Sequence, residues 1–72
     1  MTGEELRQVR RSARLSQRRL AFELGYRYGN TVYRKEHGER AVTLQDVIIL
    51  KLLGFLPRDY WIDYYGGRGR QS

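Results

Sequence analysis

Asn30, Thr31, Tyr33 and Arg34 lie close together in the stretch "GNTVYRKEHG", around a single aliphatic residue, Val32. An amide, a hydroxyl, a phenol and a guanidinium form a hydrogen-bonding set. The arginine fork addresses two acceptors at once, and the asparagine amide offers a donor beside an acceptor. Such a set suits recognition of another molecule better than the making or breaking of bonds. The rest of the chain agrees with that: it has no cysteine and one histidine, His37, which reads as a solvated residue at a helix end. There is no thiolate nucleophile, no group of metal ligands and no glycine-rich phosphate loop ahead of a Lys-Ser/Thr pair. No enzyme, cofactor or metal site is expected.

Charge says what kind of molecule the set would meet. The 72 residues carry a net charge of +6. Residues 1–40 hold ten Arg or Lys against five Glu, a balance of +5. Residues 41–65 balance at −1, and the tail 66–72 adds Arg68 and Arg70. A basic first half joined to an apolar second half implies a polyanion contact and a separate core or self-association surface. Random solvation by arginine would not segregate charge in this way.

The elements that position these residues read as short helices. Thr2 and Glu5 have capping-box spacing, and Leu6, Val9 and Ala13 repeat on one face, predicting a helix over residues 3–13. Ser16 caps a second helix with Leu20, Ala21 and Leu24 inward and Gly25 at its end. Asn30 is expected to cap a third over 31–37, stopped by Gly38. Thr43 with Asp46 starts a fourth, in which Leu44, Val47, Ile48, Lys51 and Leu52 share a face while Ile49, Leu50 and Leu53 make its other sides apolar. Gly54 ends it, and Pro57 predicts a fifth helix over 57–65. The expected fold is a compact all-α bundle of five short helices, spanning 1–65, with a flexible basic tail over 66–72. The longest apolar run, 47–56, carries Lys51 and falls short of the roughly 20 residues that span a bilayer. A cytoplasmic location is expected, with no membrane partner.

Two short helices joined by a tight turn, the second one polar, make a helix-turn-helix pattern, here in helices 2 and 3. More specifically, "LSQRRLAFELG" followed by "TVYRKEHGERAVTL" resembles the lambda-repressor-like (Cro, XRE) DNA-binding family. Ser16, Gln17, Leu20, Ala21, Leu24, Gly25, Val32, Glu36 and Gly38 occupy that family's pattern positions, and the resemblance covers roughly Leu6 to Gly54. It implies that Ala21 is small because the reading helix passes close over it, and that Val32 anchors that helix to the core. It also implies a structural ion pair between Arg10 and Glu36. The chain departs from the pattern in three places. The turn "YRYGN" is one residue longer, with the extra residue near Arg27 and Tyr28. Val42 replaces a common proline. Lys35 stands at a usually aliphatic position, where its stem would cover apolar surface while its ammonium reaches out, leaving the third helix weakly anchored.

By the resemblance, the third helix enters the major groove of double-stranded DNA while the second lies across the backbone. Arg34 would then address guanine and Asn30 adenine, with Thr31 and Tyr33 completing the base-reading set. Gln17, Arg18, Arg27 and Arg40 would hold phosphates. Ile49, Leu53, Phe55, Tyr60, Trp61 and Tyr64 are expected at a homodimer contact that pairs two half-sites. The function so implied is a sequence-specific transcriptional regulator of bacterial, phage or mobile-element type, acting as a repressor at an inverted repeat. The alternative is a helix-turn-helix domain turned to binding another regulatory protein, as an antiactivator or antitoxin.

Overall fold

The computed structural model describes residues 1–57 and 60, and among these it contains four helices and no strand. α1 spans Gly3–Ser12, α2 Gln17–Glu23, α3 Asn30–Glu36 and α4 Leu44–Leu52. The described helices therefore number four where five were expected. The fifth, over 57–65, lies outside the described residues apart from Pro57 and Tyr60, as does the tail 66–72.

Local chemistry sets the boundaries. Thr2 and Glu5 close a reciprocal capping box at α1, and Thr43 and Asp46 do the same at α4. The Ser16 hydroxyl accepts the Arg19 N–H at the start of α2. α3 differs from expectation: its N-cap is Gly29, without a side-chain bond, and Asn30 is already the first helical residue. The helix α2 passes close by Gly29: a Cβ at that position would lie 3.0 Å from the Arg18 Cα, so a larger residue would need α2 to give by a few tenths of an ångström. The Gly29 backbone is helical, so α3 begins one residue early, and the Asn30 amide is not used up in capping.

Leu6, Leu20, Ala21, Leu24, Val32, Val47, Leu50 and Leu56 form the buried core. α3 packs against both α2 and α1. The approach to α1 is close: a Cβ on Gly3 would meet the Lys35 carbonyl oxygen at 2.3 Å. α4 corrects the sequence reading of its faces. Val47 and Leu50, with Asp46, point into the core, while Leu44 and Leu52 are exposed and Ile48 is half-buried. The i, i+4, i+8 row 44–48–52 is therefore its outer stripe.

Candidate nucleic-acid interface

Six of the seven residues of α3 divide between a buried and an exposed face. Val32, Lys35 and Glu36 are buried, whereas Asn30, Tyr33, Arg34 and the C-capping His37 are exposed. Positions 30, 33, 34 and 37 have the i, i+3, i+4, i+7 spacing of one continuous helix face. Thr31 is half-buried at its edge. The four side chains extend over about 10 Å of helix, within the roughly 12 Å width of a B-DNA major groove.

Two buried ion pairs hold this face in place from behind. Arg10 Nε donates to Glu36 Oε2 at 2.6 Å and Nη2 to Oε1 at 3.2 Å, while Nη1 donates to the Leu15 carbonyl at 2.9 Å. The Glu36 side chain is wholly buried. Gln17 adds a third donor, its Nε2 lying 3.1 Å from Glu36 Oε1. The predicted phosphate ligand is thus partly engaged inside the protein. Its amide still carries a second N–H for an outside acceptor.

The second pair overturns the expectation for Lys35. Its ammonium does not reach solvent; Lys35 is 4% exposed and Asp46 1%. Lys35 Nζ donates to Asp46 Oδ2 at 2.8 Å and to the Ala41 carbonyl at 2.9 Å, and it sits 5.1 Å from the centre of the Tyr26 ring. The Tyr26 hydroxyl donates to Asp46 Oδ1 at 2.5 Å, and the Thr43 N–H donates to Oδ2 at 2.9 Å. Burial alone would raise the Asp46 carboxyl, but the bonds from Lys35, Tyr26 and Thr43 outweigh it and hold its pKa below the ordinary value. Burial opposes the Lys35 charge, and the bonds to Asp46 and Tyr26 override it, raising that pKa. Burial and the Asp46 carboxylate raise the Tyr26 hydroxyl. A residue that looked like a weak point therefore ties α3 to the start of α4.

Arg18, Arg27 and Arg40 are all exposed, one on α2 and one in each of the loops flanking α3. Arg19 lies on the same exposed side of α2 as Arg18, but it is paired with Glu23 at 2.8 Å and rests over the Phe22 ring. At the proposed dimer contact, Ile49, Phe55 and Tyr60 are partly buried and lean on the protomer's own core. Leu53 is exposed, and Trp61 and Tyr64 lie outside the described residues. Leu44 and Leu52 of α4 are also exposed, Leu52 to 81%.

His37 is exposed at the end of α3 as expected, and the one feature sequence reasoning missed there is a ring contact. Its ring stacks on that of Tyr33, with centroids 3.9 Å apart and planes 23° from parallel. Their spacing of four residues was the available signal. No group of three or more metal-ligating side chains occurs among the described residues, and no described helix is long and apolar enough to cross a membrane.

Compared with protein-family models, curated proteins and solved structures, the chain has no match.

Proposed function

We propose that this protein is a sequence-specific DNA-binding transcriptional regulator, a repressor of bacterial, phage or mobile-element type. In this reading α2 and α3 form a helix-turn-helix and α3 is the reading helix. One observation carries the proposal: α3 buries Val32, Lys35 and Glu36 and turns Asn30, Tyr33 and Arg34 outward as one polar face. A helix this short has no need of two buried ion pairs to satisfy its backbone. Their effect is to hold the outer face rigid, and a rigid donor set loses less entropy on meeting base edges. Arg18, Arg27 and Arg40, exposed on α2 and on the two loops that flank α3 in sequence, supply positive charge of the kind that phosphates require.

Arg34 then addresses guanine O6 and N7 and Asn30 addresses adenine, with Thr31 and Tyr33 beside them. Gln17 and the three flanking arginines position the backbone. Two copies associate through the outer side of α4, where Leu44 and Leu52 are exposed and Ile48 is half-buried between them. The pair reads an inverted repeat whose half-sites lie about one helical turn apart. Occlusion of a promoter that overlaps the repeat is the simplest mode of action. Titration of the protein against genomic fragments, followed by footprinting, tests the proposal. A protected inverted repeat supports it, and protection without sequence preference counts against it.

A second reading has its own observation. Phe22 is 69% exposed on α2 and lines an open concavity of about 300 Å³ with Ser16, Arg18 and Arg19. Neither fold nor base reading requires an aromatic ring there. A regulatory protein partner, in place of DNA or alongside it, would use that ring.

A further inference from the structure

His37 was left without a task by the base-reading set, yet it stands on the same face of α3 as Asn30, Tyr33 and Arg34. Two contacts hold its ring. One is the stack on Tyr33. The other runs from Nδ1 to the Tyr33 carbonyl oxygen, at 2.8 Å. A carbonyl oxygen carries no proton, so Nδ1 must be the donor in that bond. In the neutral ring this leaves Nε2 as a bare acceptor. Nε2 is separated from Nδ1 by one ring carbon, and its in-plane lone pair points in a different direction from the Nδ1–H bond. The remaining members of the face supply other chemistry: Arg34 offers only donors, Asn30 offers both kinds, and Tyr33 a hydroxyl.

We infer that His37 is a specificity-determining residue, its ring set by Tyr33 so that Nε2 accepts a hydrogen bond from an exocyclic base amine in the major groove. This rests on the reading of α3 as the DNA-reading helix. Two bases present such an amine there, adenine at N6 and cytosine at N4. The neutral ring with its proton on Nδ1 cannot make the opposite match, because a bare Nε2 does not donate to guanine O6 or thymine O4. Tyr33 acts as the positioning residue. Its ring confines the imidazole before DNA arrives, so little rotamer freedom is lost on contact.

The test uses the full chain and a library of duplexes randomised over the footprinted half-site. Selection is followed by anisotropy titrations of wild type, H37A, Y33F and Y33A on duplexes carrying each base pair at each position. One position, at the edge of the half-site, is expected to prefer adenine or cytosine by about three- to tenfold in the wild type. H37A should abolish that preference while leaving those due to Asn30 and Arg34 intact. Y33F keeps the ring stack and should retain the preference at the His37 position, even where loss of the hydroxyl changes another position; Y33A frees the imidazole and should weaken the His37 position. Duplexes with N6-methyladenine or N4-methylcytosine at that position then tell the two amines apart, since methylation should reduce binding by the wild type but not by H37A. An equal loss across all sequences with H37A would make His37 a packing residue and overturn the inference, as would an unchanged preference at every position. A wild type that selects no sequence at all would instead sink the DNA-reading assignment, and the inference with it.

Discussion

Lys35 and Asp46 form an ion pair at 2.8 Å with both side chains almost wholly buried, and it joins the inner face of α3 to the first turn of α4. A buried pair is weak evidence for stability, because desolvation of two charges offsets most of their attraction. Its value lies in geometry. The carboxylate takes three donors, from Lys35, Tyr26 and the Thr43 N–H, so α3, the loop before it and the cap of α4 share one register. An aliphatic residue at 35 would pack there without fixing that register.

The pair should therefore show strong coupling. Lys35→Met leaves the Asp46 charge buried and uncompensated, and should cost about 3–5 kcal/mol; Asp46→Asn, which strands the ammonium, should cost a similar amount. The double variant should lose less than the sum of the singles by more than about 1 kcal/mol. Urea unfolding followed by circular dichroism measures all three. Additive losses would mean that the two charges do not depend on one another.

The same cluster dictates a pH profile. The Asp46 pKa is lowered in the fold from 3.8, so its stabilisation is complete above that value and disappears as pH falls through the folded pKa. Lys35 and Tyr26 are raised from 10.5 and 10.0, so their stabilisation is complete below those values and is lost as pH rises through the folded ones. Thermal melts should show a plateau between these limits, with an acid limb below about pH 4 and an alkaline limb above about pH 10. Asp46→Asn should flatten the acid limb. An acid limb unchanged in that variant would place its origin elsewhere.

These two residues also mark how far sequence reasoning reached. Caps, helix order and the inward set of Leu6, Leu20, Leu24 and Val32 follow from local spacing, which sequence displays directly. Lys35 did not, because a lysine reads as a solvent-facing residue unless its partner is known. That partner is Asp46 of another helix, whose carboxylate was already accounted for by the Thr43 cap. The faces of α4 were ambiguous for a different reason: nearly every position is apolar, so periodicity cannot choose among them. The Asn30 cap failed because the Gly29 backbone is already in the helical region, which puts Asn30 inside the first turn. The outward set of α3 was readable because Val32 and Glu36 bracket it at helical spacing.

Arg14 adopts φ 59°, the left-handed region, in the turn that ends α1. Gly25 and Gly38 do the same after α2 and α3, where no Cβ opposes it. Arg14→Gly should stabilise the fold by about 0.5–1 kcal/mol, since the left-handed conformation costs a side-chain-bearing residue about that much or more. The midpoint of thermal unfolding provides the measurement. A lowered midpoint would show that the Arg14 side chain makes a contact worth more than its backbone strain.

Arg34 and Gln17 should fail in different ways. Arg34→Ala removes an exposed group and should leave the fold intact while relaxing preference at one or two base positions, by about 1–3 kcal/mol each. Gln17→Ala should weaken specific and non-specific duplexes together, as expected of a backbone contact. It should also destabilise the fold by about 0.5–1.5 kcal/mol, since its amide donates to the buried Glu36. Parallel titrations and melts separate the two effects. Uniform weakening by Arg34→Ala would reassign it to phosphate, and unchanged DNA binding by Gln17→Ala would remove α2 from the interface.

Salt dependence decides between a DNA partner and a protein one. Each phosphate neutralised releases condensed counterions, so affinity for DNA must fall as salt rises. Arg18, Arg27, Arg34 and Arg40 are exposed and are the cations proposed to meet the DNA. Two protomers then make roughly six to eight ionic contacts, and the log–log slope should be about −5 to −7. A partner seated on the Phe22 concavity would be held by an apolar ring beside two arginines, one already paired with Glu23, and its slope should be much shallower. Anisotropy with promoter and scrambled duplexes, from low to physiological salt, reads both the slope and the discrimination. A steep slope with a persistent preference for one duplex supports the regulator. A protein that never separates the two duplexes leaves only sequence-blind charge attraction, and transfers the argument to the surface around Phe22.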